Sequence, residues 1–283
     1  MENKDEIILN INKPNKTNKK KKKPIKNKNN KIKNINEIKK KRKKARTIKI
    51  ALIIILFVAI CIILASSEIF NIKKISVEGV DKLTDKEIIS YSNIIIGENT
   101  FKTNLNKAKI QIKENPYVKR VDVKRQFPNT ILIQIEERKE KYALQLAESY
   151  VYVDSQGYIL EISKENKNIP ILLGIITDLS NIKPNDRLVK EDLLKFDMVN
   201  KIVENCKSYE IDNLLTKVDI TNTSSFILYL ETESKKVFLG DATNLNTRML
   251  WLKSILEQTK EKKGTIYLDM DLNTKKPYFR AET

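Results

Sequence analysis

One long apolar segment dominates the hydrophobicity pattern of the chain. From Ile50 to Ser67 no side chain is charged, and the central run reads ALIIILFVAICIILA. A helix rises ~1.5 Å per residue, so a segment of this length reaches ~27 Å and just spans the hydrocarbon core of a bilayer. The pattern therefore predicts one transmembrane helix at residues 50–67.

The pattern after this segment predicts a small α+β module in residues 68–138. Apolar side chains alternate along three predicted strands and recur at helical spacing in two segments between the first strand and the second. The first helix begins in a capping box, in which Thr84 accepts the N–H of Glu87 and the Glu87 side chain returns to the N–H of Thr84. Asn104 is a typical N-cap for the second helix. The predicted order is β-α-α-β-β, a three-stranded sheet with both helices on one face.

Residues 139–283 predict a mixed β domain with covering helices. Short apolar segments bounded by turn residues predict its strands, and residues 265–270 form the final clear one. Pro277 to Arg280 predict a further short strand. Apolar residues at helical spacing predict one helix between Lys190 and Ser208 and a second that Gly264 ends. The fold class is therefore α+β in both modules.

The net charge of +18, from 54 Lys and Arg against 36 Asp and Glu, is concentrated near the N-terminus. Residues 1–49 hold 20 of the basic and 4 of the acidic residues. This low-complexity Lys/Asn sequence predicts a disordered cytoplasmic tail. Clustered lysines also bind nucleic acid, but no aromatic residue precedes Phe57 to stack on a base. We therefore expect anionic lipid head groups at the tail, and no nucleic-acid partner.

The charges on either side of the apolar segment predict its orientation. Four basic side chains lie just before it: Lys43, Lys44, Arg46 and Lys49. Glu68 follows it, so the positive-inside rule predicts a single-pass type II protein with a cytoplasmic N-terminus and an extracytoplasmic C-terminal domain. A signal peptide cut at Ala65-Ser66-Ser67 is the alternative, but the apolar run exceeds the usual ~7 to 15 residues of such a signal.

The composition excludes several kinds of chemistry. There is no histidine, which removes Ser-His-Asp and Cys-His catalysis and histidine-ligated zinc. Cys61 and Cys206 are too few for a cysteine-ligated metal cluster, and the six glycines form no phosphate-binding motif, so we expect no cofactor and no small-molecule substrate. Asp269 and Asp271 are the best candidates for catalysis, as two carboxylates on one face of a strand. A charged strand edge that blocks indiscriminate pairing is the simpler interpretation.

The stretch from Asn115 to Arg138 reads NPYVKRVDVKRQFPNTILIQIEER. It resembles the POTRA domain of the FtsQ/DivIB cell-division proteins, whose pattern is NPxVxxVxVxRxWPxTLxIxVxER. Phe127 stands where the family has Trp, and Lys139 to Lys141 replace its Pro-hydrophobic-Ala turn. The residues assigned to the motif are Pro116, Val121, Arg125, Phe127, Pro128, Thr130 and Arg138. By their chemistry alone, residues 127–130 are a hairpin turn with an aromatic plug, and Arg138 solvates a strand end.

The resemblance implies a function. Residues 237–240 (VFLG), a helix, and residues 266–269 (IYLD) are similar in order to the end of the FtsQ/DivIB β domain. A member of this family would be a non-enzymatic scaffold of the division machinery, enriched at the septum. It would bind partners of the FtsL and FtsB/DivIC type and help to position septal wall synthases.

The mechanism we expect is the addition of an extended partner segment to a sheet edge, at Thr265 to Asp271. The residues predicted to contact partners are Ile266, Tyr267, Leu268, Asp269, Tyr278 and Phe279. Two alternatives belong to other classes of protein. One is a membrane-anchored enzyme that acts on wall polymers with carboxylates alone, and the other is a membrane-tethered nucleic-acid binder that uses the Lys-rich tail.

Overall fold

The computed structural model describes residues 28–282. Its first element is a long helix, α1, Lys28–Ala65. Within the described residues, the segment Ile38–Ala65 of this helix is the one stretch long and apolar enough to cross a membrane. The predicted transmembrane segment is therefore helical as far as Ala65, and Ser66 and Ser67 follow the helix.

The helix also extends into the basic tail. Residues 28–49, which the sequence predicted to be disordered, are helical, and residues 1–27 lie outside the described residues. The physical reason is that lysine is a good helix former, while the apolar segment that follows supplies the stable turns from which a helix can propagate. The lysine content alone therefore did not predict the local structure of this part.

The described residues from Ala65 onward form one compact unit, which begins with the predicted β-α-α-β-β module. Its elements are β1 (Lys74–Glu78), α2 (Asp85–Ser92), α3 (Leu105–Ile112), β2 (Val118–Gln126) and β3 (Thr130–Glu137). The sheet order is β1-β3-β2, with β1 parallel and β2 antiparallel to β3. The capping box between Thr84 and Glu87 is present, and the Asn104 side chain accepts the N–H of Lys107. Both helix starts are confirmed.

The distal module contains one sheet. Its strands are β4 (Tyr142–Leu146), β5 (Ser149–Val153), β6 (Ile159–Ser163), β7 (Ile171–Leu173), β8 (Lys217–Asp219), β9 (Phe226–Leu230), β10 (Lys235–Gly240), β11 (Gly264–Tyr267) and β12 (Tyr278–Ala281). They lie in the order β12-β11-β10-β9-β8-β7-β4-β5-β6. Two helices, α4 (Lys190–Ser208) and α5 (Leu245–Gln258), share one apolar core with this sheet. The mixed β domain with covering helices is confirmed.

Strand β4 had no counterpart in the sequence pattern. Tyr142, Ala143 and Leu144 are all buried, because β4 lies between β5 and β7 and is covered on both faces. A strand buried on both faces shows no alternation of polar and apolar residues. The absence of that alternation is the reason the pattern did not predict it.

Gly264 has a different role from the predicted helix end. Helix α5 ends at Gln258, and Gly264 is the first residue of β11. A Cβ atom on Gly264 would lie 2.2 Å from the carbonyl oxygen of Arg280 on the neighbouring strand. Glycine is needed here because β12 approaches the backbone of β11 too closely for a side chain.

Candidate partner-binding site

The structure places the free edge of the distal sheet on a different strand from the predicted one. β11 is paired on one side with β10, in parallel, and on the other with β12, antiparallel. The edge predicted at Thr265 to Asp271 is therefore wrong from Thr265 to Tyr267, and residues 268–271 follow the strand. Among the described residues, β12 (Tyr278–Ala281) is the outermost strand at this end of the sheet. The sequence pattern predicted both strands but carried no information about which of them lies outside.

The two faces of the edge strands differ sharply. Ile266 and Leu268, two of the residues predicted to contact partners, are fully buried in the core shared with α4 and α5, so their side chains are not accessible to a partner. Phe279 is partly buried and packs against the same core. Tyr267 and Tyr278 lie opposite each other in the β11–β12 register and point to the other face, away from the helices.

On that outer face, three aromatic rings stack across three neighbouring strands. We call Phe238, Tyr267 and Tyr278 the aromatic ladder. The ring centroids of Phe238 and Tyr267 are 5.3 Å apart, and those of Tyr267 and Tyr278 are 4.8 Å apart, with nearly parallel planes in both pairs. Lys236 Nζ lies 4.9 Å from the Phe238 centroid. Tyr278 is 52% exposed, so the ladder ends in an accessible ring at the free edge.

A buried arginine on α5 donates hydrogen bonds to backbone carbonyl oxygens at the ends of β10 and β11. Arg248 on α5 is 6% exposed and donates hydrogen bonds to the carbonyl oxygens of Leu239 and Leu268. It also donates to the carbonyl oxygen of Thr243, at 2.9 Å. Nothing in the sequence pattern distinguished Arg248 from a solvated helix residue, because the carbonyls it satisfies come from distant segments.

The two candidate catalytic carboxylates lie in different local settings. Asp269 is exposed and follows β11. The Asp271 carboxylate closes a turn by accepting the N–H of Asn273, at 3.0 Å. Among the described residues, no group of three His, Cys, Asp or Glu side chains could hold a metal ion. Burial raises the pKa of the Cys206 thiol to about 12, as expected for a thiol of the core.

The POTRA motif residues serve the fold in different ways. Val121 is buried in the module core, and Thr130 begins β3. The Arg125 guanidinium donates hydrogen bonds to the carbonyl oxygens of Thr100 and Thr103, at 2.8 and 2.9 Å. Pro116 precedes β2, and Pro128 lies in the β2–β3 turn after a cis peptide bond. The turn is confirmed.

Phe127, at the tip of this hairpin, is not a plug in the core. It is 59% exposed. Its ring lies against those of Phe70 and Phe101, with centroid separations of 6.2 and 5.4 Å. The aromatic character of the position predicted burial, whereas the tertiary structure leaves the ring in an exposed cluster.

Arg138 joins the two modules, a role that the sequence did not reveal. Its guanidinium pairs with the Asp154 carboxylate at 2.5 Å and lies 3.7 Å above the Tyr158 ring, and the Arg138 and Asp154 side chains are 9% and 5% exposed. The predicted role of a solvated strand end is wrong for this residue. Leu160 of β6 packs in the core of the POTRA module, and Asn185 donates to the carbonyl oxygen of Lys113, at 3.1 Å. The modules therefore share a buried joint.

A charged cluster closes the same joint. Lys82 Nζ lies 2.5 Å from the Glu140 carboxylate and 2.6 Å from the Tyr117 hydroxyl oxygen. The Tyr117 hydroxyl lies within hydrogen-bonding distance of both Glu140 and Glu161, and its one hydrogen is shared between the two carboxylates. Lys167 lies 2.8 Å from Glu140 and 2.7 Å from Glu161, which completes the cluster.

This environment changes the acidities of the cluster. Partial burial by itself raises the pKa of Glu140, but hydrogen bonds from Lys167, Lys82 and Tyr117 outweigh it and hold that pKa at about 2. Burial, together with the hydrogen bonds to Glu161 and Glu140, raises the pKa of Tyr117. The phenol is therefore neutral and the carboxylates are charged at neutral pH.

The basic residues used to predict membrane orientation are Lys43, Lys44, Arg46 and Lys49. All four lie on α1 and are exposed. Their exposure agrees with solvated side chains next to a membrane segment. The orientation itself stays a prediction from charge.

Comparisons with known proteins identify relatives of this chain. Residues 70–138 match the family described as POTRA domain, FtsQ-type. The chain is 30% identical over 204 residues to the cell division protein DivIB of Clostridium acetobutylicum, which covers 71% of this chain and 79% of the relative. It is 24% identical over 212 residues to the cell division protein FtsQ of Syntrophotalea carbinolica, which covers 74% of this chain and 73% of the relative. A solved extracytoplasmic domain of DivIB from Geobacillus stearothermophilus matches 43% of this chain and 92% of its own length, at 12% identity and a TM-score of 0.25.

The fold and the family match of residues 70–138 define the class first. An FtsQ-type POTRA module follows an apolar helix and is joined to a mixed β domain, which is the arrangement of a membrane-anchored POTRA protein. The extent of the identity to DivIB then fixes the family: the chain belongs to the FtsQ/DivIB family of cell division proteins.

Proposed function

We propose that this protein is a non-enzymatic, membrane-anchored scaffold of the bacterial division machinery. Relatives that match most of this chain bear the names of cell division proteins. The scaffold would bind partners of the FtsL and FtsB/DivIC type through its distal module and help to position septal wall synthases. In this proposal α1 crosses the membrane once, with the N-terminus in the cytoplasm beside anionic lipid and the folded unit outside, enriched at the division septum.

The observation that carries the proposal is the outer side of β12, with which no strand pairs in the part of the chain that the structure describes. The N–H of Glu282 donates to the carbonyl oxygen of Lys263, so this N–H points inward toward the β11 side. Successive N–H groups of a strand point to opposite sides in the plane of the sheet, which directs those of Phe279 and Ala281 outward. An extended segment of a partner would pair with these groups.

The aromatic ladder supplies specificity to this edge. Tyr278 is exposed and stacks on Tyr267, so a partner side chain that enters beside β12 would meet an aromatic wall. Arg280 occupies the same face of β12 two residues later and offers a positive charge to an acidic partner residue. Asp269, exposed just after β11, offers a negative one.

The test uses the full chain in lipid nanodiscs and the extracytoplasmic parts of FtsL-type and FtsB/DivIC-type partners. Ala281→Pro removes an outward N–H and leaves the inward bonds of β12 in place, so we expect at least about a tenfold loss of affinity. Tyr278→Ala removes the exposed ring at the end of the aromatic ladder and should reduce the affinity for the partners severalfold. Binding is measured by isothermal titration calorimetry or biolayer interferometry.

Leu250→Ala is the matched control, because Leu250 is a 57% exposed apolar residue on α5, remote from the edge in sequence and on a covering helix. It should bind as the parent chain does. Unchanged affinity in both Ala281→Pro and Tyr278→Ala would exclude β12 as the binding edge. Hydrolysis of purified peptidoglycan by the parent chain would contradict the non-enzymatic assignment.

A further inference from the structure

A second exposed aromatic surface lies on the POTRA module, far along the sequence from the ladder. We call Phe70, Phe101 and Phe127 the Phe cluster. Their ring centroids lie 5.2 to 6.2 Å apart. Phe101 is 47% and Phe127 59% exposed, and the adjoining Ile69 is 62% exposed. The rings therefore pack on one another and leave apolar surface to the outside, which marks a site of interaction.

The Phe cluster is built from three segments that backbone and side-chain bonds hold together. Asn99 Nδ2 donates to the carbonyl oxygen of Ala65, at 2.9 Å. The N–H of Thr100 donates to the carbonyl oxygen of Phe70, at 2.8 Å. Arg125 donates to the carbonyl oxygen of Thr100, at 2.8 Å, and so ties strand β2 to the same loop. The cluster is a fixed part of the module, with Ala65 bound directly to the loop that carries Phe101.

Ala65 is also the last residue of α1, and this sets how far the cluster can lie from a membrane that contains the helix. A chain spans at most ~3.6 Å per residue, so Phe70 lies within ~18 Å of the helix end even if the linking residues were fully extended. The short 3₁₀ turn at Glu68–Phe70 shortens this reach. When α1 lies in a membrane, this short link therefore keeps lipid at a high local concentration beside the cluster, and no partner protein is needed to bring the two together.

The charges near the cluster agree with a lipid surface. Lys73, Lys74 and Lys102 are exposed and lie within a few residues of Phe70 or Phe101, and Glu68 is the exposed acidic neighbour. Exposed Phe and Ile side chains flanked by lysines are the combination by which surfaces enter the boundary between head groups and acyl chains.

We propose that the Phe cluster and Ile69 insert into the head-group boundary of the bilayer and dock the POTRA module on the lipid surface. The cluster thus acts as a second membrane contact beside the helical anchor. This inference rests on the part of the proposed function that makes α1 a membrane anchor.

The test measures the depth of residue 127 in lipid. Trp251→Phe removes the single native tryptophan, and Phe127→Trp then places the only fluorophore in the cluster. The full chain is reconstituted in nanodiscs of phosphatidylethanolamine and phosphatidylglycerol, with or without phospholipids brominated near the head-group end of the acyl chains. We expect a blue-shifted emission and about twofold quenching by the brominated lipid.

Tyr278→Trp in the same Trp251→Phe background is the matched control and should show neither effect. Flotation of the chain with vesicles after an alkaline wash tests the anchor separately. A chain that floats but whose Trp at position 127 is unquenched overturns the inference and leaves the anchor intact.

Two further outcomes are distinguished in the same experiment. A blue shift that occurs only after partner ectodomains are added would assign the Phe cluster to a protein contact and would overturn the lipid assignment. If Phe127→Trp fails to fold by circular dichroism, Ile69→Trp provides the same readout from the adjoining exposed position. Quenching of that probe supports the inference, and its absence in a floating chain contradicts it.

Discussion

The joint between the two modules buries and pairs its charged side chains, whereas the free edge of the distal sheet exposes backbone groups that are unpaired among the described residues. At the joint, the Arg138 and Asp154 side chains are almost completely buried and are bonded to each other. At the edge, β12 exposes the Tyr278 ring, and within residues 28–282 its outer row of backbone groups pairs with no other strand. Separating a buried ion pair would leave a buried charge without its partner, so such a pair holds neighbouring parts in one arrangement, whereas an unpaired strand edge can pair with another chain. One compact unit of the chain thus contains both a buried joint that fixes its two modules and a strand edge that is accessible to a partner.

The largest expected effect is at the joint. Arg138→Ala removes the cationic partner of the buried Asp154 carboxylate and leaves it only the N–H groups of Gln156 and Tyr158. We therefore expect the free energy of unfolding to fall by about 3 kcal/mol, the lower end of the cost of breaking a buried ion pair. Urea denaturation followed by Trp251 fluorescence measures it. Arg120→Ala is the matched control: the Arg120 side chain is 80% exposed in its pair with Glu136. The free energy of unfolding of Arg120→Ala should fall by at most about 1 kcal/mol. Equal losses in the two variants would remove the contrast between joint and surface.

The next effect lies beneath the open edge. Arg248→Met keeps much of the side-chain volume but removes the donors to the carbonyl oxygens of Leu239 and Leu268. We expect the free energy of unfolding to fall by about 2–3 kcal/mol, because two buried carbonyl oxygens lose a charged hydrogen-bond donor. The same urea titration measures it. An unchanged midpoint would show that the ends of β10 and β11 do not depend on this arginine.

The charged cluster predicts a pH dependence that belongs to the joint. The pKa of Glu140 is lowered in the folded state from 4.5 to about 2, so its contribution is fully present above pH 4.5 and is lost as the pH falls toward 2. Glu140→Gln should be less stable than the parent chain at pH 6, and the difference should shrink at pH 3. Urea titrations at the two pH values measure it. A difference that stayed constant would mean that Glu140 is not the group responsible.

The smallest effect on stability is expected at the edge itself. Tyr278→Ala removes one stacking partner of Tyr267 from an exposed position, and we expect a loss of about 0.5–1.5 kcal/mol. The same variant should lose more partner affinity than Arg138→Ala does, which reverses the order of the two variants in stability. A large loss of stability together with intact binding would contradict the division of roles between joint and edge.

The sequence predicted the local elements well where their signals are local. The capping box at Thr84, the N-cap at Asn104 and the alternating apolar residues of β3 depend on neighbours within a few positions, and each is found as predicted. β4 was missed because it is buried on both faces. The helical part of the basic tail was missed because composition describes average behaviour, whereas a helix also propagates from the segment that adjoins it.

The candidate site was predicted in part. The sequence placed Tyr267 and Tyr278 near the end of the β domain, and the structure stacks their rings. The sequence also assigned Ile266 and Leu268 to the site, yet both are buried. Alternation assigns residues to two faces of a strand, but it does not say which face a sheet turns toward its helices or which strand lies at its edge.

The sequence by itself determined the single apolar helix, the order of the POTRA elements, the absence of histidine chemistry and the family resemblance. These depend on composition, on spacing and on a continuous motif. Only the tertiary structure decided that β12 is the outermost strand, that Arg138 is buried against Asp154, and that Phe127 joins Phe70 and Phe101 on the surface. Each of these depends on contacts between segments far apart in the chain, whose pairing is fixed by how the whole core packs rather than by any local pattern.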